Sequence, residues 1–131
     1  MKNETLLKSA SAATGLYAIV WLALEGSVAR DLLLAIPLSA LGMYSILARF
    51  LGGRTLSPSR LIALSSFAGL AYGIGLALMM LFLMALKTGL HAHGPEYMPA
   101  EVAWVWRQLP LWGSAGALAG LGLGFLSAAK K

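Results

Sequence analysis

Four long apolar runs take up most of this 131-residue chain and restrict the folds that it can adopt. A helix that crosses the hydrocarbon core of a bilayer needs about 20 mostly apolar residues. The runs reach that length at residues 9–29, 32–51, 61–86 and 109–128. Charged residues make up 11% of the chain, whereas soluble domains have roughly 25%. We therefore predict an all-α integral membrane protein, with a four-transmembrane-helix bundle as its single domain.

The connections between the predicted spans differ in length. Arg30 and Asp31 alone separate the first two spans, which should form a tight antiparallel hairpin. A polar turn at residues 52–60 separates the second span from the third. The longest connection is the outer loop at residues 87–108, where histidines, carboxylates, prolines and tryptophans occur close together. Candidate functional chemistry is therefore concentrated in this loop.

Lysine and arginine residues are unevenly divided between the two ends of the predicted spans. Because basic residues favour the cytoplasmic side, both termini are predicted to be cytoplasmic and the 87–108 loop to face away from the cytoplasm. We expect a bacterial-type plasma membrane. The net charge of +5 then reflects topology and not a nucleic-acid partner. The basic residues on the predicted cytoplasmic side are Lys2, Lys8, Arg49, Arg54, Arg60, Lys130 and Lys131, and those on the other side are Arg30, Lys87 and Arg107.

Small residues recur at every fourth position in the third and fourth spans. Residues four apart share one helix face, and in lipid a face of small residues lets two helix backbones approach closely. We expect these faces to pack against another helix, and a glycine-lined pore is the alternative. The helix-packing residues are Ser65, Gly69, Gly73 and Ala77 in the third span and Gly116, Gly120, Gly124 and Ala128 in the fourth.

Glu25 is a possible intramembrane carboxylate near the end of the first predicted span. Such a group is a candidate functional residue by default. Glu25 nevertheless lies only about a turn and a half, roughly 7 Å, before Arg30, so it can reach the membrane interface or pair with a basic group. We favour that interfacial role. Proton coupling or cation binding is the alternative.

The first half of the outer loop contains the types of ligand that bind transition metals. His91 and His93 would lie on the same side of an extended segment, and Glu96 follows nearby. Imidazole and carboxylate groups suit zinc and copper. A single pair of histidines is a weak signal, so no cofactor is predicted outright, and zinc or copper at His91, His93 and Glu96 is kept as a hypothesis.

The second half of the outer loop indicates a short interfacial helix before the fourth span. Pro99 and Glu101 suit the first turn of a helix, and Pro110 would kink that helix or restart it. Aromatic and basic side chains here are of the kind that settle at headgroup depth. We interpret the loop as a lid or docking surface. The anchoring or docking residues are Tyr97, Trp104, Trp106, Arg107 and Trp112.

The sequence contains no catalytic constellation that we can recognise. It has no nucleophile with an evident base, no phosphate-binding loop and no paired carboxylates within a span, so an enzyme is not expected. We predict an accessory or assembly subunit of a larger membrane complex, whose partners are the lipid bilayer and other membrane subunits or a second copy. The alternatives are an oligomeric small-molecule or lipid transporter and a metal-binding or sensor membrane protein.

Overall fold

A computed structural model describes residues 2–91, 94 and 96–130, and this part of the chain contains helices and no strand. The four helices are α1 (Lys2–Ala23), α2 (Val28–Leu51), α3 (Pro58–Leu90) and α4 (Pro99–Ala128). Each is long and apolar enough to cross a membrane. The predicted all-α fold, with four helices long and apolar enough to span a membrane, is confirmed for the described residues.

The turn between α1 and α2 lies earlier in the chain than the sequence indicated. Helix α1 ends at Ala23, and residues 24–27 form the turn. Arg30 and Asp31 do not form that turn, because they belong to the start of α2. The reason is local: Ser27 has extended backbone angles and stands at the N-cap position, and a carboxylate in the next turn suits the positive end of a helix.

The connection between α3 and α4 is shorter than residues 87–108. Helix α3 continues to Leu90 and α4 begins at Pro99. The segment expected to form a separate short helix is instead the first part of α4, which continues through Pro110. At 1.5 Å per residue α3 is about 50 Å long, whereas the hydrocarbon core is about 30 Å thick. Helix α3 is therefore longer than the hydrocarbon layer is thick.

Helices α3 and α4 form an antiparallel pair in which the two backbones touch. A methyl group added at Gly69 would lie 2.0 Å from the carbonyl oxygen of Gly116, and one added at Gly73 would lie 2.0 Å from that of Trp112. Such distances leave no room for a side chain. Further along the pair, Ser66 Oγ donates a hydrogen bond across the contact to the carbonyl oxygen of Ala117, at 3.2 Å.

The contact continues toward the C-terminus of α4. A methyl group at Gly120 would lie 2.1 Å from the carbonyl oxygen of Ser65, and one at Gly124 would lie 2.8 Å from Cα of Ile62. Ala77 is completely buried and Ala128 is partly buried. We call the stretch of α3–α4 contact from Ile62 to Gly73 and from Trp112 to Gly124 the glycine contact.

The other helices pack less extensively. Helix α2 packs on α3, and α1 packs mainly on α2. Much of α1 is exposed, with Leu16 at 67% exposure and open space around Gly15. The buried core lies toward one end, where the 24–27 turn and the 91–98 connection meet, and we call this the loop end. The buried apolar residues are Trp21, Leu34, Ala35, Ala77, Met80, Leu83, Met84, Tyr97 and Val105.

Candidate functional site

Two oppositely charged side chains are completely buried at the loop end. Asp31 lies in the first turns of α2 and Lys87 near the end of α3, and neither is accessible to solvent. Charged side chains are almost never fully buried unless they are paired. With Trp21, Glu96 and Tyr97, they form what we call the loop-end cluster.

Trp21 joins the two buried charges. Its indole Nε1–H donates a 2.8 Å hydrogen bond to Oδ1 of Asp31. The Lys87 ammonium donates a hydrogen bond to the carbonyl oxygen of Trp21. The same ammonium lies 4.4 Å from the centroid of the Trp21 ring, a cation–π contact. One residue of α1 therefore binds a residue of α2 and a residue of α3.

The ends of the helices explain why the charges lie where they do. The last carbonyl groups of a helix lack partners within it and carry partial negative charge. Lys87 supplies a donor and a positive charge to that end of α1. Asp31 is stabilised in the converse way, because its negative charge lies at the positive N-terminal end of α2. Each buried charge is thus stabilised by a helix end as well as by Trp21.

Two oxygen atoms in the cluster lack hydrogen-bond partners in the part of the chain that the structure describes. They are Oδ2 of Asp31 and the hydroxyl of Tyr97, both buried. The two groups are close enough to interact: burial, followed by interactions with Asp31 and the charge of Glu96, raises the pKa of the Tyr97 hydroxyl above its ordinary value. Tyr97 therefore keeps its hydrogen and faces Asp31 without a hydrogen bond of normal geometry.

The 91–98 connection is fastened to the 24–27 turn by Glu96. Its Oε2 accepts a 2.7 Å hydrogen bond from the backbone N–H of Gly26, and its Oε1 lies 3.0 Å from Nδ1 of His91. A methyl group at Gly26 would be 2.9 Å from Oε2 of Glu96 and 3.0 Å from Cζ of Tyr97. The absence of a side chain at Gly26 is what lets the two loops touch.

The structure describes two of the three predicted metal ligands. His91 and Glu96 contact each other, and His91 Nδ1 also lies 3.2 Å from the carbonyl oxygen of Lys87. His93 lies outside the described residues. Within them, no three histidine or acidic side chains are grouped so that they could hold a metal ion. Metal binding at this loop stays a prediction.

The predicted anchoring residues separate into two groups. Trp104, Trp106 and Arg107 are exposed on the first turns of α4. Trp112 makes an edge-to-face contact with Trp104, with 6.0 Å between ring centroids. Tyr97, in contrast, is 7% exposed and belongs to the loop-end cluster. It is therefore placed to act inside the protein and not at its surface.

Glu25 lies in the 24–27 turn with its side chain exposed. Its carbonyl oxygen accepts a 3.1 Å hydrogen bond from Arg30 Nη1. The completely buried carboxylate at this end is Asp31. The sequence alone places Asp31 in a turn, and it uses Lys87 only to predict the topology. The available signal was that each charge directly adjoins an apolar run.

An apolar groove is the second notable feature. It has a volume of about 790 Å³ and lies between α2, α3 and α4, alongside the glycine contact. Small residues of α3 and α4 form its floor, and larger side chains of α2 form one wall. We call it the α2–α4 groove. Its lining residues are Leu32, Ile36, Met43, Leu47, Ser65, Ala68, Gly69, Tyr72, Gly73, Leu76, Trp112, Ala115, Gly116, Ala119, Gly120 and Leu123.

Comparisons with known proteins give no relative from which a role could be transferred. The chain matches no family model, and no curated protein or solved structure is significantly similar to it. The geometry of the loop-end cluster and of the α2–α4 groove is therefore the basis for assigning a function.

Proposed function

We propose that the protein is an accessory or assembly subunit of a larger membrane complex and that it receives a transmembrane helix of its partner in the α2–α4 groove. The observation that carries this proposal is the groove itself: about 790 Å³ of apolar concavity along three membrane-length helices, with a floor of small residues. A helix with side chains is roughly 10–12 Å across, so a partner helix would insert one face into the groove.

The physics of helix association in lipid supports a helix as the occupant. Lipid tails are as apolar as leucine, so helices associate through close packing and not through the hydrophobic effect. Ala68, Ala115 and Ala119 present small side chains that a partner's larger side chains can contact closely. Leu47 and Leu123 supply bulk at the edges. We expect the partner helix to present large apolar side chains to this floor.

The distribution of charge favours a subunit over a transporter. No Asp, Glu, His, Lys or Arg residue is among those that line the groove. The buried charges lie in the loop-end cluster, where Asp31 and Lys87 are joined through Trp21. Charge-coupled transporters carry ionisable residues on their substrate pathway. An oligomeric transporter of apolar molecules is the second candidate, because the groove volume lies in the range of about 300–1,000 Å³ typical of small-molecule sites.

We also propose that both termini are cytoplasmic and that the loop end faces away from the cytoplasm. The burial of Lys87 supports this, because it leaves Arg30 and Arg107 as the basic residues that can interact with headgroups or water there. The exposed Trp104 and Trp106 on the first turns of α4 would then lie at headgroup depth. Single cysteines at Ser57 and at Glu25 should label from opposite sides of the membrane, and labelling from the same side would contradict this topology.

Site-specific photo-crosslinking in native membranes tests the subunit proposal. A photoreactive residue at Ala119 lies in the groove, whereas one at Phe125 lies on an exposed part of α4 outside it. We expect a discrete protein adduct from Ala119 that disappears when Ala115→Leu fills the groove, and no such adduct from Phe125. Adducts with lipid alone at both positions would refute the proposal. An adduct with twice the mass of the chain would indicate self-association instead.

A further inference from the structure

Two hydroxyl groups lie among the apolar residues that line the α2–α4 groove, and they belong to Ser65 and Tyr72 of α3. Residues seven apart share one face of a helix, so the two hydroxyl-bearing side chains lie on the same face of α3, two turns apart. Trp112, which also lines the groove and carries a polar atom, packs its ring edge-to-face against Trp104, which is not a lining residue. The groove therefore combines an apolar surface with a few hydrogen-bonding groups at defined depths.

Tyr72 lies close to the middle of α3. The helix runs from Pro58 to Leu90, so Tyr72 is only two residues, about 3 Å along the axis, from the middle residue Ile74. Helix α3 is about 50 Å long and the hydrocarbon core is about 30 Å thick, so the central part of α3 lies within the core wherever its two ends are placed. Water is absent there, and the Tyr72 hydroxyl must find its hydrogen-bond partners within protein.

The partner that the Tyr72 hydroxyl has within the chain is a poor one. The hydroxyl donates to the carbonyl oxygen of Ile36 in α2 at 3.4 Å, whereas O–H···O hydrogen bonds are usually about 2.5–3.0 Å long. That oxygen belongs to the interior of α2, where the backbone N–H of Ala40 is its regular helical partner. A tyrosine hydroxyl can also accept hydrogen bonds. Tyr72 therefore retains hydrogen-bonding capacity at a depth where lipid chains offer none.

We propose that the partner helix carries a serine, threonine, asparagine or glutamine side chain that bonds to the Tyr72 hydroxyl, and that this bond fixes how deeply the helix sits in the groove. The inference rests on the proposed function, because it needs a helix in the α2–α4 groove. Apolar contacts with a floor of small residues tolerate shifts along the groove. A hydrogen bond at one depth selects a single position, since a shift by one turn leaves two polar groups in lipid without partners.

The second hydroxyl is expected to contribute less. Ser65 lies about 10 Å nearer than Tyr72 to the start of α3, outside the central part of the helix that the core must include. A hydroxyl near the end of a span can bond to water or to headgroups in the absence of a partner helix. Its loss therefore costs the complex less than the loss of the Tyr72 hydroxyl.

The photo-crosslink from Ala119 measures the contribution of Tyr72 in native membranes. At limiting amounts of the chain, Tyr72→Phe should lower the yield of the protein adduct by about threefold to twentyfold, which corresponds to one hydrogen bond between membrane helices. Ser65→Ala should lower it less. Tyr44→Phe is the matched control, because it removes a hydroxyl from an exposed side chain of α2 that does not line the groove. The control should leave the yield unchanged.

The outcomes separate this inference from the proposed function. If the wild-type chain gives no protein adduct, the proposed function fails and the inference fails with it. If the adduct forms and Tyr72→Phe leaves its yield unchanged, the inference alone is overturned. Tyr72→Phe should also leave the unfolding free energy of the isolated chain in micelles nearly unchanged. A loss of stability there that matches the loss of adduct would show that the hydroxyl serves the contact between α2 and α3, and it would overturn the inference too.

The partner provides the second test. Mass spectrometry of the crosslinked peptide should identify a polar side chain at about the depth of Tyr72 in an otherwise apolar helix. Replacing that side chain by valine should lower the adduct yield by the same factor as Tyr72→Phe. Combining the two changes should lower it no further, because each removes the same hydrogen bond. Losses that multiply in the double variant, or a partner helix whose groove-facing side is wholly apolar, would overturn the inference.

Discussion

The glycine contact, which joins α3 to α4, and the loop-end cluster, which joins α1, α2 and α3, hold helices together by opposite means. In the glycine contact the backbones of α3 and α4 touch, because side chains are absent from positions such as Gly69 and Gly116. At the loop end, Trp21 and the charges of Asp31 and Lys87 fill the space between the helices. The first arrangement needs no charge, and the second depends on it.

This difference assigns a separate role to each region. Close backbone packing stabilises a helix pair in lipid. Two smooth helix faces can, however, pack in several registers with similar stability. Buried charges contribute little net stability, yet the loss of one partner is severely destabilising. We infer that the glycine contact supplies attraction, whereas the loop-end cluster determines which helix ends meet.

The largest expected effect is the removal of one buried charge. Lys87→Met leaves Asp31 buried without its cation and removes the donor to the Trp21 carbonyl oxygen, so unfolding free energy should fall by about 3–5 kcal/mol. Denaturant titration in mixed micelles measures this loss. Lys8→Met, which removes an exposed pair with Glu4, is the control and should have no measurable effect.

A double variant sharpens this prediction. Lys87→Met combined with Asp31→Asn removes both charges, so it should be more stable than Lys87→Met alone. If the two variants were equally unstable, the cost would come from lost packing around Trp21 and not from an unpaired charge. The loop-end cluster would then be stabilised mainly by packing, as the glycine contact is.

The second prediction concerns the glycine contact. Gly120→Leu places a side chain against the carbonyl oxygen of Ser65, which belongs to a helix backbone and cannot move alone. We expect a loss of about 3 kcal/mol, at the upper end of the usual cost of overpacking. Gly122→Leu is the matched control, since Gly122 is on the same helix with open space around it. Equal unfolding free energies for the two variants would contradict the close contact.

The two regions also differ in how far sequence alone reveals them. The spans are visible because a run of about 20 apolar residues is nearly sufficient to specify a membrane helix, and the four-residue spacing of glycines is local information. In the sequence, Asp31 and Lys87 look like charges at a membrane interface. Their burial depends on Trp21, which lies on another helix, so the local sequence does not reveal it. The element boundaries shifted for a different, local reason: in a sequence, a charge in the first turn of a helix looks like a charge in a loop.

The third prediction tests how the two loops at the loop end fit together. Gly26→Ala adds a methyl group that would press on both Glu96 and Tyr97. These are side chains that can adjust, so we expect a loss of only about 1 kcal/mol. Hydrogen exchange should show the Gly26 region opening more often. Gly15→Ala is the control: its site is open and helical, where alanine is favoured over glycine by about 0.5–1 kcal/mol.

The smallest expected effect is at His91. Its side chain is partly exposed and contacts Glu96, so His91→Ala should cost less than about 1 kcal/mol, as for other partly solvated polar contacts. Glu96 retains its hydrogen bond to Gly26 in that variant, which should keep the two loops together. The metal hypothesis predicts otherwise. If elemental analysis found one zinc or copper ion per chain, and if His91→Ala with His93→Ala removed both the ion and much of the stability, the 91–98 connection would be a metal site, and its attachment to the 24–27 turn would be secondary.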